Sequence, residues 1–298
     1  MKLAVIGLGL IGGSMAIDLK KARFATEVIG VDSDAGHVEQ ALNIGFIDRT
    51  ATLEEACKEA DLVLIAVPVD KILTILPFVL DHIPVHATVT DMGSTKRMIT
   101  GTVKNHPMRR NYVPAHPMAG TENSGPTAAI SDLFRGKIAI MCDQEESGPQ
   151  HVALIEKMFQ VLGMKIAYMS ADEQDHSTAF ISHLPHVVAF ALANAVLAKE
   201  NREIIFDLAS GGFRSTVRLA KSSPEMWGPI FQQNKEYILE SLDVYIRQLK
   251  EFKDSIENDE NRMNELMTNA NHIRNILDSS NGGSLITNEE TIIKLYTK

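Results

Sequence analysis

Two short stretches carry side chains suited to proton chemistry. Asp91-Met-Gly-Ser94-Thr-Lys96 and His116-Pro-Met-Ala-Gly-Thr-Glu122-Asn-Ser-Gly125 each follow an apolar run that reads as a strand, which puts Ser94 and His116 just past two strand ends. A hydroxyl and an imidazole there can take or polarise the proton lost when a carbinol is oxidised, since histidine titrates near operating pH. On position alone they read equally as an N-cap serine and a loop histidine satisfied by backbone. A third stretch opens the chain. Gly7, Gly9 and Gly12 fit G-x-G-x-x-G between an apolar run, Lys2–Ile6, and an apolar helical pattern. The first glycine permits a tight turn, the second lets backbone approach a pyrophosphate, and the third lets the helix lie close on its strand with its N–H groups toward the phosphates. Val28–Asp32 reads as the next strand, and Asp32 lies twenty residues after Gly12. A carboxylate there accepts from ribose hydroxyls and repels a 2′-phosphate, so the spacing implies NAD rather than NADP.

The second half of the chain offers histidines and arginines. His176, His183 and His186 recur at seven and three residues, so all three can share one helical face. That pattern suits a metal, core or capping histidines, or contact with a substrate; no carboxylate stands at a matching position, and zinc hydrolases space their ligands differently. Ala209-Ser-Gly-Gly-Phe-Arg214-Ser-Thr-Val-Arg218 reads as a glycine turn feeding a helix with arginines at i and i+4, a candidate carboxylate clamp. Trp227, the single tryptophan, defaults to a core or interface role.

These residues need a frame. Asp61–Pro68 is a continuous apolar run, as a parallel strand buried on both faces reads, and it places Val67 and Pro68 at the carboxyl edge of a sheet, where ligands bind in open α/β folds. Further strands are expected at Ala87–Asp91, Tyr112–Ala115, Lys137–Cys142 and Met164–Met169, with helices at Ala35–Ile44, Ala51–Ala60, Asp70–Leu80 and His151–Leu162. That alternation implies a doubly wound, mainly parallel sheet over residues 1–170. Past Ser170 helices take over. One runs from Asp172 to about Lys199, with Pro185 inside it expected to cause a kink. From Ile238 to Leu277 apolar residues alternate steps of four and three at eleven of twelve positions, broken by Asp259. Such a seam favours subunit pairing, and an intrachain hairpin satisfies the same pattern. Residues 171–280 are thus expected to form an all-α substrate and dimerisation domain, and 281–298 a linker and short tail.

Composition narrows the class. At 298 residues there is room for two domains, and a net charge of −9 argues against nucleic acid and gives no basic stripe for a membrane surface. The longest apolar stretch, Val187–Ala198, falls short of a bilayer span, and Met1-Lys2 runs straight into the first strand without a leader. Cys57 and Cys142 show no metal-ligand spacing and read as reduced thiols of a cytoplasmic protein.

Taken together the motifs resemble the prephenate and arogenate dehydrogenases of tyrosine biosynthesis. The resemblance rests on GLGLIGGS at 7–14, VD at 31–32, DLVLIAVP at 61–68, DMGSTK at 91–96, HPMAGTENSG at 116–125, SHLPH at 182–186, GGFRSTVRLAKSSPEMW at 211–227 and NKE at 234–236. It implies a Rossmann domain followed by a helical dimerisation domain, a homodimer, and NAD-dependent oxidative decarboxylation of prephenate to 4-hydroxyphenylpyruvate, or of arogenate to tyrosine. It also implies that His116 bonds the ring hydroxyl beside Ser94, that Arg218 anchors the ring carboxylate with His186, and that Glu122, His183, Arg214 and Trp227 line or gate the pocket. Ser215 and Val217 replace the Asp and Thr of many relatives, which puts an ionic gate through that Asp in doubt. More remote readings are a β-hydroxyacid-type dehydrogenase, which usually carries a lysine or aspartate where Ser182–His186 stands, and an NAD-sensing regulator, which needs no Ser94, His116 or Arg218. No metal is required.

Overall fold

The computed structural model describes residues 1–200 and 207–276; Leu277, the linker and the tail lie outside the described residues. Eight strands form one sheet: β1 (Lys2–Ile6), β2 (Glu27–Val31), β3 (Arg49–Thr50), β4 (Leu62–Ile65), β5 (Thr88–Asp91), β6 (Tyr112–Pro117), β7 (Ile138–Cys142) and β8 (Lys165–Met169). Their order is β3-β2-β1-β4-β5-β6-β7-β8, parallel throughout except for β6 against β7. Six helices accompany them: α1 (Leu10–Lys21), α2 (Ala35–Ile44), α3 (Leu53–Glu59), α4 (Val69–His82), α5 (Arg97–Thr102) and α6 (Pro149–Val161). The sheet is buried on both faces, so alternate residues of one strand serve different cores. Leu3 and Val5 pack with Leu8, Met15, Leu19, Phe134 and Phe159 on one side. Ala4 and Ile6 pack with Val63, Ile65, Ile72, Leu76 and Val79 on the other. Local signals set the helix starts: Thr52 and Glu55 close a capping box on α3.

After β8 come α7 (Ala171–Thr178), a π-helical turn (Ala179–His183), α8 (Leu184–Leu197), α9 (Gly211–Thr216), a 3₁₀ turn (Arg218–Lys221) and α10 (Pro224–Gln233). Trp227 and Ile230 of α10 enter the second core, against the face that α4 covers, so residues through Asn234 form one compact unit with the sheet. A simple kink at Pro185 was the expectation; the structure absorbs the proline differently. Pro185 has no N–H to give, and the turn before it widens so that the Leu184 N–H reaches the Ala179 carbonyl, five residues back. The inserted residue turns the following side chains by about 100°. His176 is therefore exposed while His183 is fully buried, and the shared face expected for the three histidines is not formed. Because the helix runs on through the wide turn, Ala171–Leu197 is 27 residues long, with a mean hydropathy of 1.6 over its most apolar window, of which 17% is buried. By length and composition it matches a bilayer span, which corrects the reading taken from Val187–Ala198 alone.

The second compact unit begins at Lys235. It contains α11 (Lys235–Asn258) and α12 (Glu260–Asn271), and Asp259 breaks the seam as an N-cap that accepts from the Arg262 N–H at 3.0 Å. Arg262 reaches back to Glu251 at 2.5 Å and pairs with Glu265 at 2.9 Å, which folds the helices beside one another near the turn. Ile238 and Leu266 are buried, whereas Leu249, Ile256 and Ile273 of the seam are 50%, 69% and 56% exposed.

Candidate active site

The glycine turn has the geometry its pattern demands. Gly7 has φ +96°, and a Cβ there would lie 2.5 Å from the Ala66 carbonyl oxygen; one on Gly12 would lie 2.1 Å from that of Gly7. A Cβ on Gly9 meets nothing within 4 Å, so the surface above it is open. Gly9 caps α1 without a side chain, which leaves the first-turn N–H groups for a ligand. Asp32, at the end of β2, accepts from the Leu8 N–H at 2.9 Å and the Asp34 N–H at 3.0 Å, with His37 Nδ1 3.5 Å away. Val67 is half-buried beside Gly7, and Pro68 is exposed at the start of α4. A cradle that only glycine fits, an open floor and a fixed carboxylate suit a dinucleotide.

The ends of β5 and β6 rest on a buried polar network. Asp91 and Lys96 are both fully withdrawn from water and form an ion pair, and the other Asp91 oxygen accepts from the Tyr112 hydroxyl at 2.6 Å. The Asp175 carboxylate of α7 accepts from the Lys96 N–H at 2.7 Å and the Arg97 N–H at 2.9 Å, capping α5 from another element. Gln174 donates to the Ser94 carbonyl at 3.2 Å, and Thr95 donates to Gln233 at 2.7 Å. Ser94 thus sits in a loop tied by α7 and α10. Burial raises Asp175 to about 6, against the lowering effect of those two N–H groups.

His116 lies on β6, buried, with no partner for Nδ1 among the described residues. Burial, the Lys96 ammonium and His183 push it down to about 3. It is therefore a neutral imidazole at working pH, which corrects the expectation that it titrates near neutrality. His183 is pushed down to about 4 by burial and by His186. Trp227 stacks on His186 at 3.5 Å and meets His183 edge-on at 5.9 Å. Arg218 faces His186 electrostatically and pairs with Glu122 at 3.7 Å. The fold thus links His116, His183, His186, Trp227, Arg218 and Glu122 in one chain of neighbours.

Arg214 does not join it. Its Nε donates to the Ala209 carbonyl at 3.2 Å. The single helix expected to carry both arginines ends at Thr216, with the Ser215 and Thr216 hydroxyls folded back on the Gly212 carbonyl at 2.9 Å, and Arg218 opens the 3₁₀ turn that follows. Ser215 is spent on that contact. Sequence reasoning also passed over the supporting residues Lys96, Tyr112, Gln174, Asp175, Gln233 and Asn234. The available signal was a pair of opposite charges flanking a glycine at a strand end, Asp91 and Lys96.

Comparison with known proteins decides the family. Residues 15–168 match a profile described as "Prephenate dehydrogenase, nucleotide-binding domain", and residues 170–270 match one described as "Prephenate dehydrogenase, dimerization domain". The chain belongs to the prephenate dehydrogenase family. It is 34% identical to a prephenate dehydrogenase of Bacillus subtilis, over 85% of this chain and 70% of the relative. It is also 34% identical to a cyclohexadienyl dehydrogenase of Zymomonas mobilis, over 85% of this chain and 88% of the relative. A prephenate dehydrogenase of A. aeolicus, solved in complex with hydroxyphenyl propionate and NAD+, superposes with a TM-score of 0.86 at 29% identity, over 93% of this chain and 98% of that one. As a member of the prephenate dehydrogenase family, the chain is an oxidoreductase with a Rossmann-type nucleotide-binding domain followed by helices.

Proposed function

We propose that this chain is an NAD-dependent prephenate dehydrogenase that yields 4-hydroxyphenylpyruvate. The observation that carries the reading is the neutral His116 at the end of β6, beside the tied Ser94 loop and coupled to His183, which is coupled in turn to His186 and through it to Arg218. NAD, held by Gly7, Gly9, Gly12, Asp32, Val67 and Pro68, supplies the hydride acceptor. His116 takes the ring hydroxyl proton as the carbonyl forms, with Ser94 hydrogen-bonded to the same oxygen, and returns it to that oxygen once loss of carbon dioxide leaves a phenolate. Arg218 holds the ring carboxylate, His186 lines the pocket with its ring fixed by stacking on Trp227, Glu122 sets where the Arg218 guanidinium waits, and Arg214 stands at the rim. Loss of carbon dioxide aromatises the ring, so no residue need stabilise a long-lived carbanion. The test is NADH formation with prephenate and with arogenate, each with NAD and with NADP; turnover of arogenate alone overturns the substrate.

Under this reading the functional division falls at residue 170, with 171–280 forming the substrate and pairing region. The exposed Leu249, Ile256 and Ile273 form part of the face of a homodimer. Two buried free thiols, Cys57 and Cys142, suit the cytoplasm. Light scattering should give twice 32.8 kDa, and Ile256→Glu should lower it toward that value; a monomeric wild type at micromolar concentration overturns the pairing.

A further inference from the structure

Asn234 and His183 are 1% and 0% exposed. The Asn234 side-chain NH₂ donates to the Asp175 carbonyl at 2.7 Å and lies 3.0 Å from His183 Nδ1. A carbonyl only accepts, so it decides which end of the amide faces it: reversing the amide would set two oxygens against each other. The other hydrogen of that NH₂ then points at Nδ1. A ring nitrogen facing an N–H donor must present its lone pair, and in a neutral imidazole the proton is then on Nε2. That nitrogen is buried and has no partner among the described residues. It belongs to a ring set edge-on to Trp227 and within electrostatic reach of both His116 and His186. Three residues on, the polarity is reversed. His186 Nδ1 donates to the Ser182 carbonyl at 2.9 Å, so its Nε2 carries the lone pair.

We propose that Asn234 is a positioning residue that locks His183 in the Nε2–H form, making His183 a hydrogen-bond donor to a carboxylate or keto oxygen of the substrate. This rests on reading the surroundings of His116, His183 and His186 as the substrate site. It divides the two neutral histidines by polarity, His183 giving a hydrogen and His186 receiving one from a hydroxyl or ammonium group. A substrate that offers only hydrogens at the His183 position leaves a buried N–H facing an N–H or O–H, and sites of that kind reject such analogues strongly.

Long-range ¹H–¹⁵N correlation spectra of histidine-labelled, substrate-free protein test the tautomer directly, with His183 assigned by its loss in His183→Gln. The expected spectrum shows Nε2 protonated and Nδ1 bare; a protonated Nδ1 overturns the proposal. Asn234→Asp keeps the shape and removes the donor, so His183 should change to Nδ1–H. KM for prephenate should then rise about tenfold, with KM for NAD within about twofold. Retention of the Nε2–H form in Asn234→Asp, or a changed tautomer with unchanged KM for prephenate, overturns it as well. Asn234→Ala, expected to show mixed tautomers, replaces Asn234→Asp if the aspartate prevents folding, and the wild-type spectrum decides alone if neither folds. A wild type that shows the Nε2–H form but does not oxidise prephenate sinks the proposed activity and leaves the tautomer standing; an active enzyme with Nδ1–H does the reverse.

Discussion

Ser94 and His116 are seated on Asp91, Lys96, Tyr112 and Asp175, groups withdrawn from water in which hydrogen bonds of 2.6–2.9 Å surround the Asp91–Lys96 ion pair, whereas Arg218 and Glu122 are 55% and 38% exposed and meet at 3.7 Å. In the first group Tyr112 of β6 and Asp175 of α7 hold Asp91 and the Lys96 backbone from other elements, so little is left to organise when a substrate arrives. In the second, two long side chains in high dielectric hold each other weakly, a pair worth about 1 kcal/mol or less. The difference separates two tasks. Chemistry requires reacting groups fixed in advance, because misplacement costs rate, while capture of an anion is served by a cation still able to move.

Each side can be broken separately. The largest effect is expected from His116→Asn, which should lower kcat by roughly 10²–10⁴-fold with KM for prephenate little changed. Steady-state kinetics check it, and a near-normal kcat removes His116 from the chemistry. Next is Lys96→Met. Leaving the buried Asp91 carboxylate without its cation should cost about 3–5 kcal/mol of stability, read as a lower urea midpoint; an unchanged midpoint means that Tyr112 and Gly93 satisfy Asp91 unaided.

Acid should act on the same buried side. His116 and His183 have folded values of about 3 and 4 against an ordinary 6.5. As pH falls below 6.5 the unfolded chain binds protons that the folded chain refuses, so stability is lost on acidification and is flat above that point. At pH 5 this is roughly 2 kcal/mol for each histidine. Asp175, raised from 3.8 to about 6, works the other way between those values, since the folded chain takes its proton first; it offsets roughly 1 kcal/mol. The thermal midpoint should therefore fall from pH 7 to pH 5, and His116→Asn should make the fall shallower. The smallest effect is expected on the exposed side. Arg218→Ala should raise KM for prephenate about tenfold, roughly 1.4 kcal/mol, because a half-exposed guanidinium loses less on truncation than a buried one. An unchanged KM shows that the ring carboxylate is held elsewhere.

The same contrast explains what could be read from the chain in advance. Ala35–Ile44 is a helix over the span its pattern gave, and β1, the glycine turn and the core strands follow from local rules: alternation of elements, apolar runs and a glycine spacing with one steric meaning. The antiparallel turn of β7 against β6 and the two-residue β3 carry no such local signature. Nor do the ties among Thr95, Lys96, Asp175, Gln233 and Asn234, which span 59 to 138 residues of sequence and exist only once the helices lie on the sheet. His116 was visible as an imidazole at a strand end. Its lowered affinity for a proton was not, because that comes from burial beside Lys96 and His183.

The wide turn at Ala179–His183 has a consequence for how this stretch can change over time. Between Asp175, which ties down the Ser94 loop, and His183, which neighbours His116 and Trp227, the number of residues acts as a phase: one more or one fewer rotates everything downstream by about 100°. Side chains along it can be exchanged one at a time, but its length cannot. Insertions and deletions should therefore be purged here even where replacements are accepted, so that the helix behaves as a ruler whose gradations matter more than the material between them.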